Sequence, residues 1–184
     1  ILDFGNLTLA GDREENLFLA KVASDGTTLW AVGIIVDDLI GAHQNITPLD
    51  MVVDDQGDIY ITGQMLGSVN IEGVKYNSDS LEVTKVHMFL AKYKPDGSLD
   101  WFRHTTDGGT AIGHKMALAS NGDLFLSGEY ANVTYDGDTL PDVGENNPER
   151  FVARMNASGD LLWVVPMASR LADQDLSLIH ISEP

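Results

Sequence analysis

Three stretches of the chain repeat one pattern: FLAKVASDGTTLW (Phe18 to Trp30), FLAKYKPDGSLDW (Phe89 to Trp101) and FVARMNASGDLLW (Phe151 to Trp163). In each, twelve positions separate Phe from Trp. A recurrence at fixed spacing means that one small structural unit is built several times, which excludes most single-core folds. A second block recurs between them. PLDMVVDDQGDIYITG (Pro48 to Gly63) aligns with GHKMALASNGDLFLSG (Gly113 to Gly128), so that Met51/Met116, Gly57/Gly122, Asp58/Asp123 and Gly63/Gly128 share one offset of 65 residues. A third, more variable piece is LDFGNLTL (Leu2 to Leu9), VNIEGVKY (Val69 to Tyr76) and VTYDGDTL (Val133 to Leu140). Each places Gly between two short alternating runs and reads as a small hairpin hung on its repeat.

Helical periodicity is nearly absent, and short apolar runs alternate with turn signals, so an all-β chain is expected. The expected strands are Leu17–Ala23, Thr28–Ile34, Leu49–Asp54, Asp58–Gly63, His87–Tyr93, Leu99–Thr105, Lys115–Ala119, Asp123–Ser127, Arg150–Met155 and Leu161–Pro166. The turns Ser24-Asp25-Gly26, Asp55-Gln56-Gly57, Pro95-Asp96-Gly97, Ser120-Asn121-Gly122 and Ala157-Ser158-Gly159 join them in pairs, with Gly at the last position to take a positive φ. Asp58 and Asp123 recur just after such turns and are expected to cap them through side-chain to backbone hydrogen bonds. Several strands are apolar on both faces: Leu17 and Leu19 point one way, Phe18, Ala20 and Val22 the other. A sheet wetted on one face would alternate cleanly, whereas one pressed between two like sheets would not. Units of about 65 residues, each with four such strands, describe the blades of a β-propeller. A β-solenoid is the runner-up, but its coils are shorter and do not consist of paired hairpins. The expected architecture is an incomplete propeller over residues 1–170, with two whole four-stranded blades and part of a third. Boundaries fall near 1–34, 48–105 and 113–167. The cation recurring at Lys21, Lys92 and Arg154 is expected to lay its stem over apolar surface and carry its charge to the rim. A closed ring needs more units than these. The chain alone is therefore expected to be poorly stable or to associate through exposed blade faces.

Composition narrows the functional classes. Of 184 residues, Lys+Arg account for 11 and Asp+Glu for 28, a formal net charge of −17. That field repels phosphate backbones and anionic lipid, so no nucleic-acid partner is expected. No apolar run reaches bilayer-spanning length, and no membrane insertion is expected. Without cysteine there is neither a disulfide framework nor a thiolate metal site. The chain begins at Ile1 inside a repeat, so its own N-terminus is expected to lie further upstream. Residues 171–184 are read as a non-native tail. Within it Leu176 to Pro184, LSLIHISEP, shares no pattern with the repeats and resembles a translated sequencing-adapter end, so it is excluded from fold reasoning.

With MVVDDQGDIYITG, FLAKYKPDGSLDW and the intervening hairpin laid out, the chain resembles the seven-bladed β-propeller repeat family (SBBP repeats) of large secreted bacterial proteins. The resemblance runs from Phe18 to Trp163. It implies an extracellular or cell-surface repeat region with no assigned reaction. One departure is Ser158, which stands where the other two copies have the turn Asp. The pieces GTTLW, GSLDW and GDLLW are also similar to quinoprotein-type propeller repeats, in which the Trp closes one blade against the next. That resemblance makes Trp30, Trp101 and Trp163 packing groups.

No chemical constellation stands out. Carboxylates gather at Asp37 and Asp38, at Asp54, Asp55 and Asp58, and at Asp136, Asp138 and Asp142, without the twelve-residue calcium-loop pattern, and read as solvated turns. The histidines are His43, His87, His104, His114 and His180, without metalloprotease spacing. No nucleophile elbow and no phosphate-cradling loop is present. Asn6, Asn45, Asn132 and Asn156 begin N-glycosylation tripeptides, and Asp79-Ser80-Leu81 and Asp138-Thr139-Leu140 resemble a bacterial O-glycosylation pattern. No catalytic, cofactor-binding or metal-ligating residue is assigned. The expected function is a non-catalytic scaffold, or a binder of protein or glycan through the variable segments Ser78–Val86 and Asp136–Glu149. A quinoprotein-like oxidoreductase, another propeller enzyme, or a domain accessory to a catalytic module are the alternatives. Against an enzyme stand the inner-strand residues Met51, Val52 and Val53 and Met116, Ala117 and Leu118, all apolar.

Overall fold

The computed structural model describes residues 2–3, 8–9, 17–36, 45–77, 85–106, 108–141 and 148–167. They form sixteen strands and no helix: β1 (Leu2–Asp3), β2 (Thr8–Leu9), β3 (Leu17–Val22), β4 (Thr28–Val36), β5 (Asn45–Val53), β6 (Ile59–Leu66), β7 (Ser68–Ile71), β8 (Val74–Asn77), β9 (His87–Tyr93), β10 (Leu99–Thr106), β11 (Thr110–Leu118), β12 (Leu124–Ala131), β13 (Thr134–Tyr135), β14 (Asp138–Thr139), β15 (Glu149–Met155) and β16 (Leu161–Met167). The all-β expectation holds. The residues at the extreme C-terminus, including Leu176–Pro184, lie outside the described ones.

Three larger sheets follow one another, all antiparallel in their pairings, with strand orders β3-β4-β7-β8, β14-β13-β10-β9-β6-β5 and β11-β12-β15-β16. The middle sheet is covered on both faces. Ile59, Ile61, Phe89, Ala91 and Tyr93 enter one core with Leu17 and Ile34 of the first sheet and Val69 and Ile71 of its hairpin. Tyr60, Met88 and Leu90, which alternate with them, enter a second core with Met116, Leu124, Leu126, Phe151 and Met155 of the third sheet. This is why strand β9 is almost wholly buried although the two sides of a strand usually differ.

Two of the three spacer hairpins, β7–β8 and β13–β14, are not hung on their own repeat as the sequence reading has them but are handed back to the preceding sheet, while β1 and β2 pair only with each other among the described residues. Strand β7, which follows β6 in the chain, pairs with β4 of the first sheet, with Ile35 opposite Asn70 and Val36 opposite Val69. Strand β13 likewise pairs with β10 of the middle sheet, with Thr105 opposite Tyr135 and Thr106 opposite Thr134. The register is identical in the two cases. Ile35 and Thr106 each stand five residues after the repeat Trp, and Asn70 and Thr134 each stand three before the turn Gly. The hairpin then returns to its own unit: Tyr76 of β8 packs on Phe102 of β10 with ring centroids 4.7 Å apart.

The repeats also share their irregularities. The register slips between Pro48 and Asp50 in β5 and between Gly113 and Lys115 in β11, which are equivalent positions. One extra residue there bends the inner strand without ending it. Opposite the slip, Gly63 approaches Thr47 so closely that a Cβ would stand 2.1 Å from its carbonyl oxygen, and Gly128 meets the Ile112 carbonyl at 2.0 Å. That contact explains why both repeats place Gly there.

Candidate functional site

The strand directions divide the molecule into two ends. At one end lie the tight turns between β3 and β4, β5 and β6, β9 and β10, β11 and β12, and β15 and β16. At the other lie the opposite ends of the same strands, among them the start of β9 at His87 and the start of β15 at Glu149. The two ends are built differently, and the difference bears on function.

The turn end is uniform. In each turn a backbone N–H closes on the carbonyl three residues earlier, as from Gly57 to Asp54 (3.0 Å) and from Gly97 to Lys94 (2.9 Å). The capping side chains are Asp25, Asp54, Asp96, Asn121 and Asn156, not Asp58 and Asp123 as the sequence reading has it. Asp54 Oδ1 accepts from the backbone of Gln56 at 3.0 Å and of Asp58 at 2.8 Å. Asn156 Oδ1 accepts from Ser158 at 2.9 Å and Asp160 at 3.0 Å. Asn156 thereby supplies the cap in the copy whose turn has Ser158 in place of Asp, and the turn keeps the positive φ at Gly159 (82°). The Asp25 and Asp96 carboxyls lie below their usual range, Asp25 through hydrogen bonds from Thr27 and Asp96 through hydrogen bonds from Ser98.

Asp58 and Asp123 have a different task. Asp58 Oδ2 receives Lys92 Nζ at 2.8 Å, and Asp123 Oδ2 receives Arg154 Nη2 at 2.6 Å and Nε at 2.7 Å. The cations also lie over aromatic rings of the neighbouring strand, Lys92 at 5.3 Å from the Tyr60 centroid and Arg154 at 5.7 Å from that of Phe125. Burial opposes charge on Lys92, but the hydrogen bonds with Asp58 and Tyr60 outweigh it and push its pKa up. Lys92 and Arg154 therefore do not carry free charge to the rim; they are neutralised within their sheets. Lys21 is exposed, and its Nζ donates to the Pro95 carbonyl at 3.3 Å.

The repeat tryptophans clasp successive sheets. Trp30 Nε1 donates to the Pro95 carbonyl at 3.0 Å, and its ring covers Gly97, where a Cβ would lie 2.8 Å away. Trp101 Nε1 donates to the Ala157 carbonyl at 3.3 Å, and its ring covers Gly159, where a Cβ would lie 2.9 Å away. Both are packing groups. Trp163, the third, is 40% exposed and meets Phe125 edge-on at 6.0 Å.

Between the β5–β6 and β11–β12 turns runs an open groove of about 470 Å³, lined by Asp54, Gln56, Leu118, Ser120 and Asn121 among others. The Asp54 and Asn121 side chains in it are already engaged in turn hydrogen bonds. No group of three His, Asp or Glu side chains able to hold a metal occurs among the described residues. Asp136 pairs with Arg103, Nε to Oδ2 at 3.3 Å, while Asp37, Asp38 and Asp142 lie outside the described residues. His87 is buried, His104 meets Tyr76 edge-on and Phe102 at a tilt, and His114 is exposed on β11, so these histidines are scattered. His43 and His180 lie outside the described residues.

The variable segment Ser78–Val86 lies in the chain between β8, whose hairpin is seated on the first sheet, and β9 of the middle sheet; Asp136–Glu149 runs from the β13–β14 turn, seated on the middle sheet, to the first residue of β15 in the third. The strands that flank each segment thus belong to two neighbouring sheets. Residues 78–84 and 142–147 within them lie outside the described residues. Variability marks these segments in the sequence, but nothing in it shows that their flanking strands belong to different sheets. No protein-family model matches the chain, and no curated protein matches it.

Proposed function

We propose that the chain is part of a β-propeller of the SBBP type, a non-catalytic region of a secreted or cell-surface bacterial protein that serves as a scaffold and binds a protein or a glycan through the variable segments Ser78–Val86 and Asp136–Glu149. Three consecutive antiparallel sheets, the middle one covered on both faces, support the propeller reading. The observation that carries the functional reading is the division of labour between the two ends. The recurring polar side chains Asp54, Asp58, Lys92, Asn121, Asp123 and Arg154 are consumed in caps and ion pairs. Sequence variety is concentrated instead in the segments Ser78–Val86 and Asp136–Glu149, which connect strands of neighbouring sheets, the usual place for recognition. The net charge of −17 disfavours anionic partners and leaves neutral glycans and proteins with basic surfaces.

The test replaces Ser78–Val86 and Asp136–Glu149 by Gly/Ser linkers of equal length and compares binding to a panel of neutral glycans and basic proteins. Binding by the parent chain that is lost at unchanged thermal stability is the expected result. A binding profile unaltered by both replacements overturns the reading, as does a bound redox cofactor in the purified protein.

A further inference from the structure

The two ends of the sheet series carry complementary halves of a junction that occurs twice inside the chain. Each internal junction has two parts. The Trp of one sheet covers the turn Gly of the next and donates to a carbonyl two residues before it: Trp30 to Pro95 and Gly97, Trp101 to Ala157 and Gly159. The hairpin of the later unit also adds its first strand to the outer strand of the earlier sheet, β7 to β4 and β13 to β10, in one register.

The third sheet offers the first half of such a junction. Trp163 is 40% exposed, and Leu162, Val165 and Met167 of the same strand are exposed as well. Among the described residues β16 has no strand on its outer edge. The first sheet offers the second half. Its turn glycine, Gly26, has φ +88°, like Gly97 and Gly159, but a Cβ there would meet nothing within 4 Å. Ser24 occupies the position of Pro95 and Ala157, with its carbonyl two residues before the glycine. The hairpin β1–β2 pairs Leu2 with Leu9 and Asp3 with Thr8, matching Val69 with Tyr76 and Asn70 with Lys75. It lies near β4, as β8 lies against β10. Among the described residues the far edge of β1 carries no further strand.

We propose that a second copy of this chain docks head to tail: Trp163 of one copy covers Gly26 of the next, its Nε1 donating to the Ser24 carbonyl, while β1 of that next copy adds to the outer edge of β16. The contact is heterologous. It extends the sheet series from copy to copy and either closes into a ring or continues as a fibre. The occupant is a second copy because both halves are present on one chain, and because the geometry of the joint is already realised twice within it. The apolar residues brought together, Leu162, Val165 and Met167 with Val22 and Leu29, are among those that the two end sheets expose.

The experiment is sedimentation equilibrium of the chain over a range of concentrations, with two variants that block opposite ends. Trp163→Ala removes the covering ring. Gly26→Asn fills the landing site with the L residue that best tolerates positive φ, at a position where a Cβ meets nothing within 4 Å among the described residues. The parent is expected to show a mass that rises with concentration. Each variant alone is expected to lose at least tenfold in association constant. An equimolar mixture is expected to give a species of two chains and nothing larger, because one intact Trp163 and one intact Gly26 remain. Trp163→Phe, which keeps an aromatic group against Phe125 but has no N–H, is expected to weaken association less than Trp163→Ala. A parent that is monomeric throughout overturns the proposal. So does association that neither variant weakens, or a mixture of folded variants, as judged by circular dichroism, that stays monomeric.

Discussion

The indole of Trp30 rests on Gly97 of the following sheet, at a distance that leaves no room for a side chain: a Cβ on Gly97 would lie 2.8 Å from the ring. The same contact joins Trp101 to Gly159. The turn glycine thus serves two ends. It takes the positive φ of the hairpin loop, and it is the landing surface for the preceding sheet.

Comparing Gly97→Ala with Gly26→Ala separates the two. Their φ values are nearly equal, +89° and +88°, but only Gly97 is covered. Gly26→Ala carries the left-handed backbone cost alone, about 1 kcal/mol. Gly97→Ala adds the displacement of the indole and is expected to cost about 3 kcal/mol in all. Urea unfolding of dilute protein measures both, and equal losses would mean that the Trp30 contact contributes nothing.

The ion pairs invite a double-mutant cycle. Asp123 and Arg154 are joined through two guanidinium nitrogens, with side-chain exposures of 15% and 29%. Partial burial and two charge-assisted hydrogen bonds, both to Oδ2, raise such a pair above an exposed one. The cycle formed by Asp123→Asn, Arg154→Met and the double variant is expected to give a coupling of about 1–2 kcal/mol. A coupling near zero would show that the two side chains are merely adjacent.

Alkaline titration reads the cores directly. Burial first, and neighbouring Glu72 and Tyr76, raise the phenol of Tyr93 above its usual 10.0; burial likewise raises Tyr135, whose hydroxyl donates to the Gly159 carbonyl at 2.8 Å. A folded-state pKa above the unfolded one means that the neutral form is favoured by folding. The corresponding stability is fully present below pH 10 and is lost as pH rises beyond it. The raised pKa of Lys92 acts in the same direction. Phenolate absorbance is therefore expected to show part of the five tyrosines ionising only within a cooperative unfolding step above pH 10, and Tyr93→Phe with Tyr135→Phe removes two of that group. Smooth ionisation of all tyrosines while far-ultraviolet dichroism stays native would contradict the burial.

Local features were legible in the sequence because they are written in neighbouring residues. The aspartate-glycine turns, the strands and the packing role of Trp30 and Trp101 follow from spacing and residue type. The roles of Asp58 and Asp123 did not follow, because a short carboxylate after a turn can serve equally as a cap or as an ion-pair partner. Only the parallel recurrence of Lys92 and Arg154 hints at the second role. The destination of the hairpins was out of reach. Alternation in VNIEGVKY marks which face is apolar but says nothing about which strand edge the hairpin extends, and its partner β4 lies a whole strand pair earlier in the chain. Nor does alternation reveal the single-residue slips at Leu49 and His114, which change the register without changing composition.

The hand-back of the hairpins β7–β8 and β13–β14 to the preceding sheet is the feature on which the architecture turns, and a disulfide tests it most directly. The chain has no cysteine, so Thr106→Cys with Thr134→Cys introduces a single possible bridge between residues that face each other across β10 and β13. Directly opposed residues of antiparallel strands lie within the Cα separation a disulfide accepts. The expected result is near-complete intramolecular bridging in mild oxidant, at dilution, in folded protein, and no bridge when Thr106→Cys is combined instead with Asp160→Cys in the β15–β16 turn. Thr106 and Thr134 cysteines that remain free thiols in the folded chain would contradict it.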